Sequence, residues 1–285
     1  KQNILLMNIC IHRYLTKCLT NPQPPGFADF IRGTKTLHIL SKKFNYKLLI
    51  DYNIHPIFKY FKFNENIYII ELNNITTKEL LPPINYHEIY SQLLNLFNSK
   101  QDLYLLTNSY HNDYHDIDVI NSSNNFIKEM LKPSDLLEEL FINKINEINI
   151  NINNYIIIHI RIKDDCFFNE NFNLDENFDS LTKEKIKTVI DNNCDKNILV
   201  LSNHGRYLQH LKNLFNNIYI TNNLTIHLGS LDNENMENKI KGTLIDLLFM
   251  TKSKEIYCIS QYHYGGSGFS NEIAQIYNIP INICL

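Results

Sequence analysis

Short runs of β-branched and other apolar residues alternate along the chain with longer segments whose apolar residues recur at intervals of three and four. The first pattern belongs to strands buried on both faces and the second to helices with one apolar stripe, so together they predict parallel sheets covered by helices. In the first half, strands are expected at 4–10, 47–52, 67–72 and 102–107, with helices at 27–44 and 88–97. Phe27, Phe30, Ile31, Thr34, Leu37, Leu40 and Phe44 share one face of the first helix. Lys132-Pro133-Ser134 marks a junction, because proline disfavours helix at the residue before it and Ser134 can cap the helix expected at 135–146. The second half repeats the rhythm, with strands at 155–161, 198–202, 218–221 and 255–260 and helices at 183–191, 207–215, 238–251 and 271–277. The fold class is therefore α/β, read as two Rossmann-like domains at 1–148 and 149–285. Their strand ends are expected to face a cleft, where open parallel sheets place ligands.

Composition narrows the function classes. With 285 residues, 44% hydrophobic and 20% charged, the chain can bury two ordinary cores. A net charge of −3 without any stretch dense in Lys and Arg removes the footprint of a general nucleic-acid binder. Apolar runs such as 155–160 fall far short of the ~20 residues that cross a bilayer, so no membrane span is expected. Cys10, Cys18, Cys166, Cys194, Cys258 and Cys284 show no C-x-x-C spacing and read as reduced thiols of a cytoplasmic protein. Because the chain begins at Lys1, a secretory-pathway lumen is the alternative if an N-terminal anchor precedes it.

Three segments carry chemistry. The strand at 155–161 ends in His159-Ile160-Arg161, and its period of two points His159 and Arg161 the same way. A guanidinium there could hold a diphosphate by two charge-assisted hydrogen bonds, or pair with the following Asp164 or Asp165. Tyr264-Gly265-Gly266-Ser267-Gly268-Phe269-Ser270 lies between a strand and the last helix, an order that offers backbone amides, a positive helix end and hydroxyls to an anion. The bland alternative is a flexible loop with Ser270 as helix cap. The third segment, Gly26-Phe27-Ala28-Asp29 with Arg32, opens the first helix, where Asp29 and Arg32 are also placed to form an ordinary surface pair.

In this order the three segments resemble the fucosyltransferase superfamily, which takes in 1,2- and 1,6-linking, nodulation and protein O-fucosyltransferases. The resemblance implies a GT-B fold and GDP-fucose as donor, with a glycan or protein hydroxyl as acceptor and no cofactor or metal. Arg161 is similar to the signature arginine that holds the β-phosphate, and His159 to the histidine beside it. Ser267, Gly268, Phe269 and Ser270 look like the family's later Ser-rich turn, and Gly26, Phe27, Asp29 and Arg32 like its opening loop. By the same resemblance Asp246, Ser202 and Asn203 lie towards the nucleoside. Asp29, in the loop at the start of the first helix, is the candidate acceptor contact or base. Ile162 and Ala28 depart from the family pattern, which leaves rhamnose or another nucleotide-deoxysugar open as the donor.

Two other readings are weighed. Asp116-Ile117-Asp118 matches a D-x-D metal site, with His111 and His115 nearby, yet it lacks supporting spacing and reads as a solvated loop. A nucleotide-sugar binding module without catalysis is the alternative from another class. No G-x-S-x-G, Walker or complete G-x-G-x-x-G motif is present.

Overall fold

A computed structural model of the chain describes residues 8–14, 26–53, 55–70, 76–79, 103–106, 117–163, 175–225, 228–229, 235–262 and 266–284. By its contacts the chain divides into two units, Lys1–Asp135 with His227–Leu231, and Leu136–Ile226 with Asp232–Leu285.

The first unit holds a parallel sheet of β1 (Asn8–His12), β2 (Tyr46–Asp51), β3 (Tyr68–Ile69), β4 (Thr76–Glu79) and β5 (Leu103–Leu106), in the order β3-β2-β1-β5-β4. Helix α1 (Phe27–Phe44) spans the residues its stripe predicts and ends at Asn45 in the left-handed region, which asparagine tolerates. The expected helix at 88–97 lies outside the described residues. Helix α2 (Ile117–Met130) has no counterpart in the sequence expectation, and it takes Ile117 and Asp118 out of the loop predicted there. Its buried face carries Ser123 and Asn124, which break the apolar period. Ser123 is satisfied instead, donating to Val119 O and lying 3.0 Å from His38 Nδ1.

The second unit repeats the plan with β6 (Tyr155–Arg161), β7 (Asn197–Ser202), β8 (Ile218–Ile220), β9 (Ile256–Ser260) and β10 (Ile281–Cys284), again all parallel, in the order β10-β9-β6-β7-β8. Its helices are α3 (Asp135–Ile148), α4 (Glu176–Asn192), α5 (Gly205–Leu214), α6 (Met236–Lys252) and α7 (Gly268–Tyr277). Helix α3, which the sequence pattern assigns to the end of the first domain, packs with this unit. Its Phe141 ring meets Phe249 at 4.7 Å and its Lys144 donates to Thr221 O at 3.1 Å. The units thus part beside the proline junction.

Alternation along β6 sets the core. Ile156, Ile158, Ile160 and Ile162 point into one cluster with Ile198 and Val200 of the next strand and with Ile186, Leu208 and Leu211 of α4 and α5. His159 and Arg161 therefore point to the opposite face. Helix α6 is buried along Gly242–Met250, nearly all round, as a helix enclosed by neighbours should be. The chain runs β6 to β8 outward on one side and then returns to β9 on the other. The strand order therefore reverses between β6 and β9, and such a switch point opens a crevice at the carboxyl ends of the strands.

Candidate functional site

Arg161 is the last residue of β6 and stands in register with Ser260, the last residue of β9. The two strand ends are tied beyond the sheet, since Gln261 N donates to Arg161 O at 2.9 Å and Lys163 N donates to Gln261 Oε1 at 2.9 Å. The Arg161 guanidinium lies over the Tyr262 ring, 5.5 Å from its centroid, which limits its rotamers.

His159 lies one turn of the pleat below Arg161. It is 6% exposed, its Nδ1 has no hydrogen-bond partner, and its ring meets Phe269 edge-on at 6.2 Å. Burial, reinforced by the charge of Arg161, lowers its pKa to about 3, so the imidazole is neutral at physiological pH. The ring contact joins β6 to the first turn of α7, within the segment Ser267 to Ser270 that the sequence singles out. Ser267 is the N-cap residue of α7 but makes no side-chain cap bond. The amide of Ser267 is taken by the sulfur of Cys258 at 3.1 Å, and the helix that follows presents its positive end beside the switch point. Gly266, at φ 74°, makes the turn that a side chain would oppose. Tyr264 and Gly265 lie outside the described residues.

Ser202 ends β7 and Asn203 follows it, and the structure gives both local work. Ser202 Oγ accepts from His204 N, while Asn203 accepts from Ile162 N at 2.9 Å and donates to Ile162 O at 2.8 Å, extending the strand ladder by one side chain. Asp246 is buried in α6. Its Oδ1 accepts from Asn223 Nδ2 at 2.8 Å and Thr221 Oγ1 at 3.1 Å, and burial raises its pKa to about 7 against the pull of these bonds and of Lys144. A buried carboxyl poised near neutrality is a common property of functional sites.

In the first unit, Asp29 serves α1: one oxygen accepts from Gly26 N at 3.0 Å and the other pairs with Arg32 at 3.2 Å. Gly26 and Phe27 begin that helix, with Phe27 buried beside a column of stacked rings, His12, Phe30, Tyr14 and His55, whose successive centroids lie 4.8, 4.7 and 4.3 Å apart. His55 donates through Nε2 to Leu228 O and accepts from Ile57 N at Nδ1, so it is neutral and its pKa is lowered to about 4 by burial. Sequence reasoning missed Tyr262, Gln261 and Cys258, whose parts in the site come from register across the sheet. The only linear signal was their place at and just after the end of β9.

No family model and no curated protein matches the chain. Among solved structures it is similar to a NodZ alpha-1,6-fucosyltransferase soaked with GDP-fucose, at 13% identity and TM-score 0.56, covering 96% of this chain and 94% of that one. It is similar to POFUT1 in complex with GDP at 9% identity and TM-score 0.57, covering 97% and 98%. A third is a FUT1 variant of Arabidopsis thaliana in complex with GDP, at 11% identity and TM-score 0.51, covering 97% and 70%. At such identities the likeness is one of fold, and the fold class is α/β, GT-B-like, built from two Rossmann-like parallel-sheet units.

Proposed function

We propose that the chain is a glycosyltransferase that moves fucose, or a related deoxysugar, from its GDP derivative to a hydroxyl of a glycan or protein. One observation carries this reading: the switch point of the second unit brings Arg161, neutral His159 and the amino end of α7 together. A cation with a planar fork, an imidazole and a helix N-terminus make a site for a diphosphate. The three solved relatives above hold GDP or were soaked with GDP-fucose, which supports guanine over other bases.

In the proposed reaction the acceptor oxygen forms a bond to the anomeric carbon as the bond from that carbon to the diphosphate breaks. The acceptor proton is released and GDP departs carrying the electron pair. Arg161 and the amides of 268–270 stabilise the charge that grows on the leaving oxygen, in place of a metal ion, and preorganised donors of this kind account for most of the rate enhancement in many enzymes. His159 orients the donor through a hydrogen bond to its free nitrogen.

Arg161→Ala is expected to lower turnover by roughly 10²- to 10⁴-fold, the equivalent of two charge-assisted bonds. Arg161→Lys, which keeps the charge and loses the fork, should fall between. The binding test is thermal unfolding with GDP, UDP and ADP. Stabilisation by GDP alone that disappears in Arg161→Ala supports the assignment. A shift with UDP instead changes the donor, and GDP binding without transfer to any acceptor would mark a binding module.

A further inference from the structure

The sulfur of Cys258 lies beneath the turn that opens α7. It accepts from Ser267 N at 3.1 Å, and it stands 3.0 Å from the point where a side chain on Gly266 would begin. It is also hydrogen-bonded to Ser270. The buried sulfur thus accepts from the first amide of the 267–270 turn and lies against its last hydroxyl. Across the sheet Cys258 stands in register with His159, two residues before Arg161. Burial pushes the thiol up, while the Ser270 hydroxyl and the Ser267 amide act the other way because both favour the sulfur as an acceptor.

Buried cysteines usually act as small hydrophobic residues, and a Val or Ala would fill such a place in a parallel strand equally well. Neither could hold the turn. We propose that Cys258 is a positioning residue, which sets the height of the 267–270 turn above β9 so that the amides after Ser267 meet the same anion as Arg161. This rests on the donor-site reading above.

Cys258→Val keeps most of the volume and suits a strand but offers no acceptor to Ser267 N, whereas Cys258→Ser retains one. In the ligand-free protein, amide hydrogen exchange across 266–271 is expected to quicken about 3- to 10-fold in the Val variant and to stay near wild type in the Ser variant. The dissociation constant for GDP should rise by a similar factor in Val alone. Unchanged exchange and GDP affinity in Cys258→Val would overturn the proposal, and so would equal losses in both variants, since packing would then be responsible. Absence of GDP binding by the wild type would refute the donor-site reading instead, while the exchange data still decide whether the thiol holds the turn.

Discussion

A carboxyl group in the middle of a buried helix opposes folding unless something compensates it. Asp246 receives two hydrogen bonds, yet burial still raises its pKa to about 7 from the usual 3.8. The folded chain therefore keeps a proton that the unfolded chain has released over that interval. The resulting stabilisation is complete below about pH 4 and is lost as pH rises through about 7, with no further change above. Asp246→Asn can accept the same two bonds without ionising. It is expected to melt higher than wild type at pH 8, by a margin that shrinks towards pH 5. Equal margins at the two pH values would show that Asp246 titrates in the ordinary range. Retaining so costly a group suggests a use, so the same variant is expected to bind GDP more weakly than wild type. Undiminished GDP affinity would make Asp246 purely structural.

Elements depend on single close approaches, and α6 has one at Gly242. A side chain there would meet Leu224 O at 2.0 Å and Asn223 Cβ at 3.0 Å, on the segment that delivers Asn223 to Asp246. In an open helix, Gly to Ala stabilises by about 1 kcal/mol. Here a backbone oxygen blocks the new methyl, so Gly242→Ala is expected to destabilise by about 1–3 kcal/mol net, read from the midpoint of denaturant unfolding. A higher midpoint would mean that α6 and the 222–225 segment stand further apart. The elements that were legible in the sequence are those whose pattern comes wholly from apolar burial. Helix α1 and strand β6 were bounded to the residue, because an unbroken stripe and an unbroken run of isoleucines leave no other placement. Helix α4 begins seven residues earlier than expected, because its first turns are polar and are fixed by Asp175 accepting from Phe178 N. Strand β10 was missed because it is an edge with no fully buried residue. At the candidate site, spacing in the sequence singles out Arg161, His159 and the 267–270 turn, and the structure places His159 against Phe269 of that turn. Tyr262 and Cys258 could not, since only the pairing of β6 with β9 gives them their neighbours.

At the scale of the whole molecule, two parallel sheets of similar plan carry different chemistry at their strand ends. In the first unit, the groups at the ends of β1 and β2 are largely engaged with one another. His12 lies 2.9 Å from Thr34 Oγ1, Asp51 accepts from Asn53 N, and Arg13 lies 3.8 Å from Asp51. In the second unit, His159 keeps a buried nitrogen with no partner beside a helix end without a side-chain cap. Polar groups withdrawn from water are normally satisfied, and an exception at a switch point is the mark of a ligand site. The proposal of a donor site in the second unit rests on Arg161, His159 and the start of α7 together, and it has a spatial consequence. A ligand that binds only the folded state at 100 times its dissociation constant adds about 2.7 kcal/mol to stability, and local opening near the contacts is suppressed most. Saturating GDP is therefore expected to slow hydrogen exchange chiefly in 159–163 and 258–271, with little change in 9–14 and 26–32. The same experiment on Arg161→Ala should erase that pattern. Protection concentrated at 9–14 and 26–32 would move the nucleotide to the first unit and leave Arg161 a structural residue, because no rearrangement of acceptor contacts would produce that map while the diphosphate sat on α7.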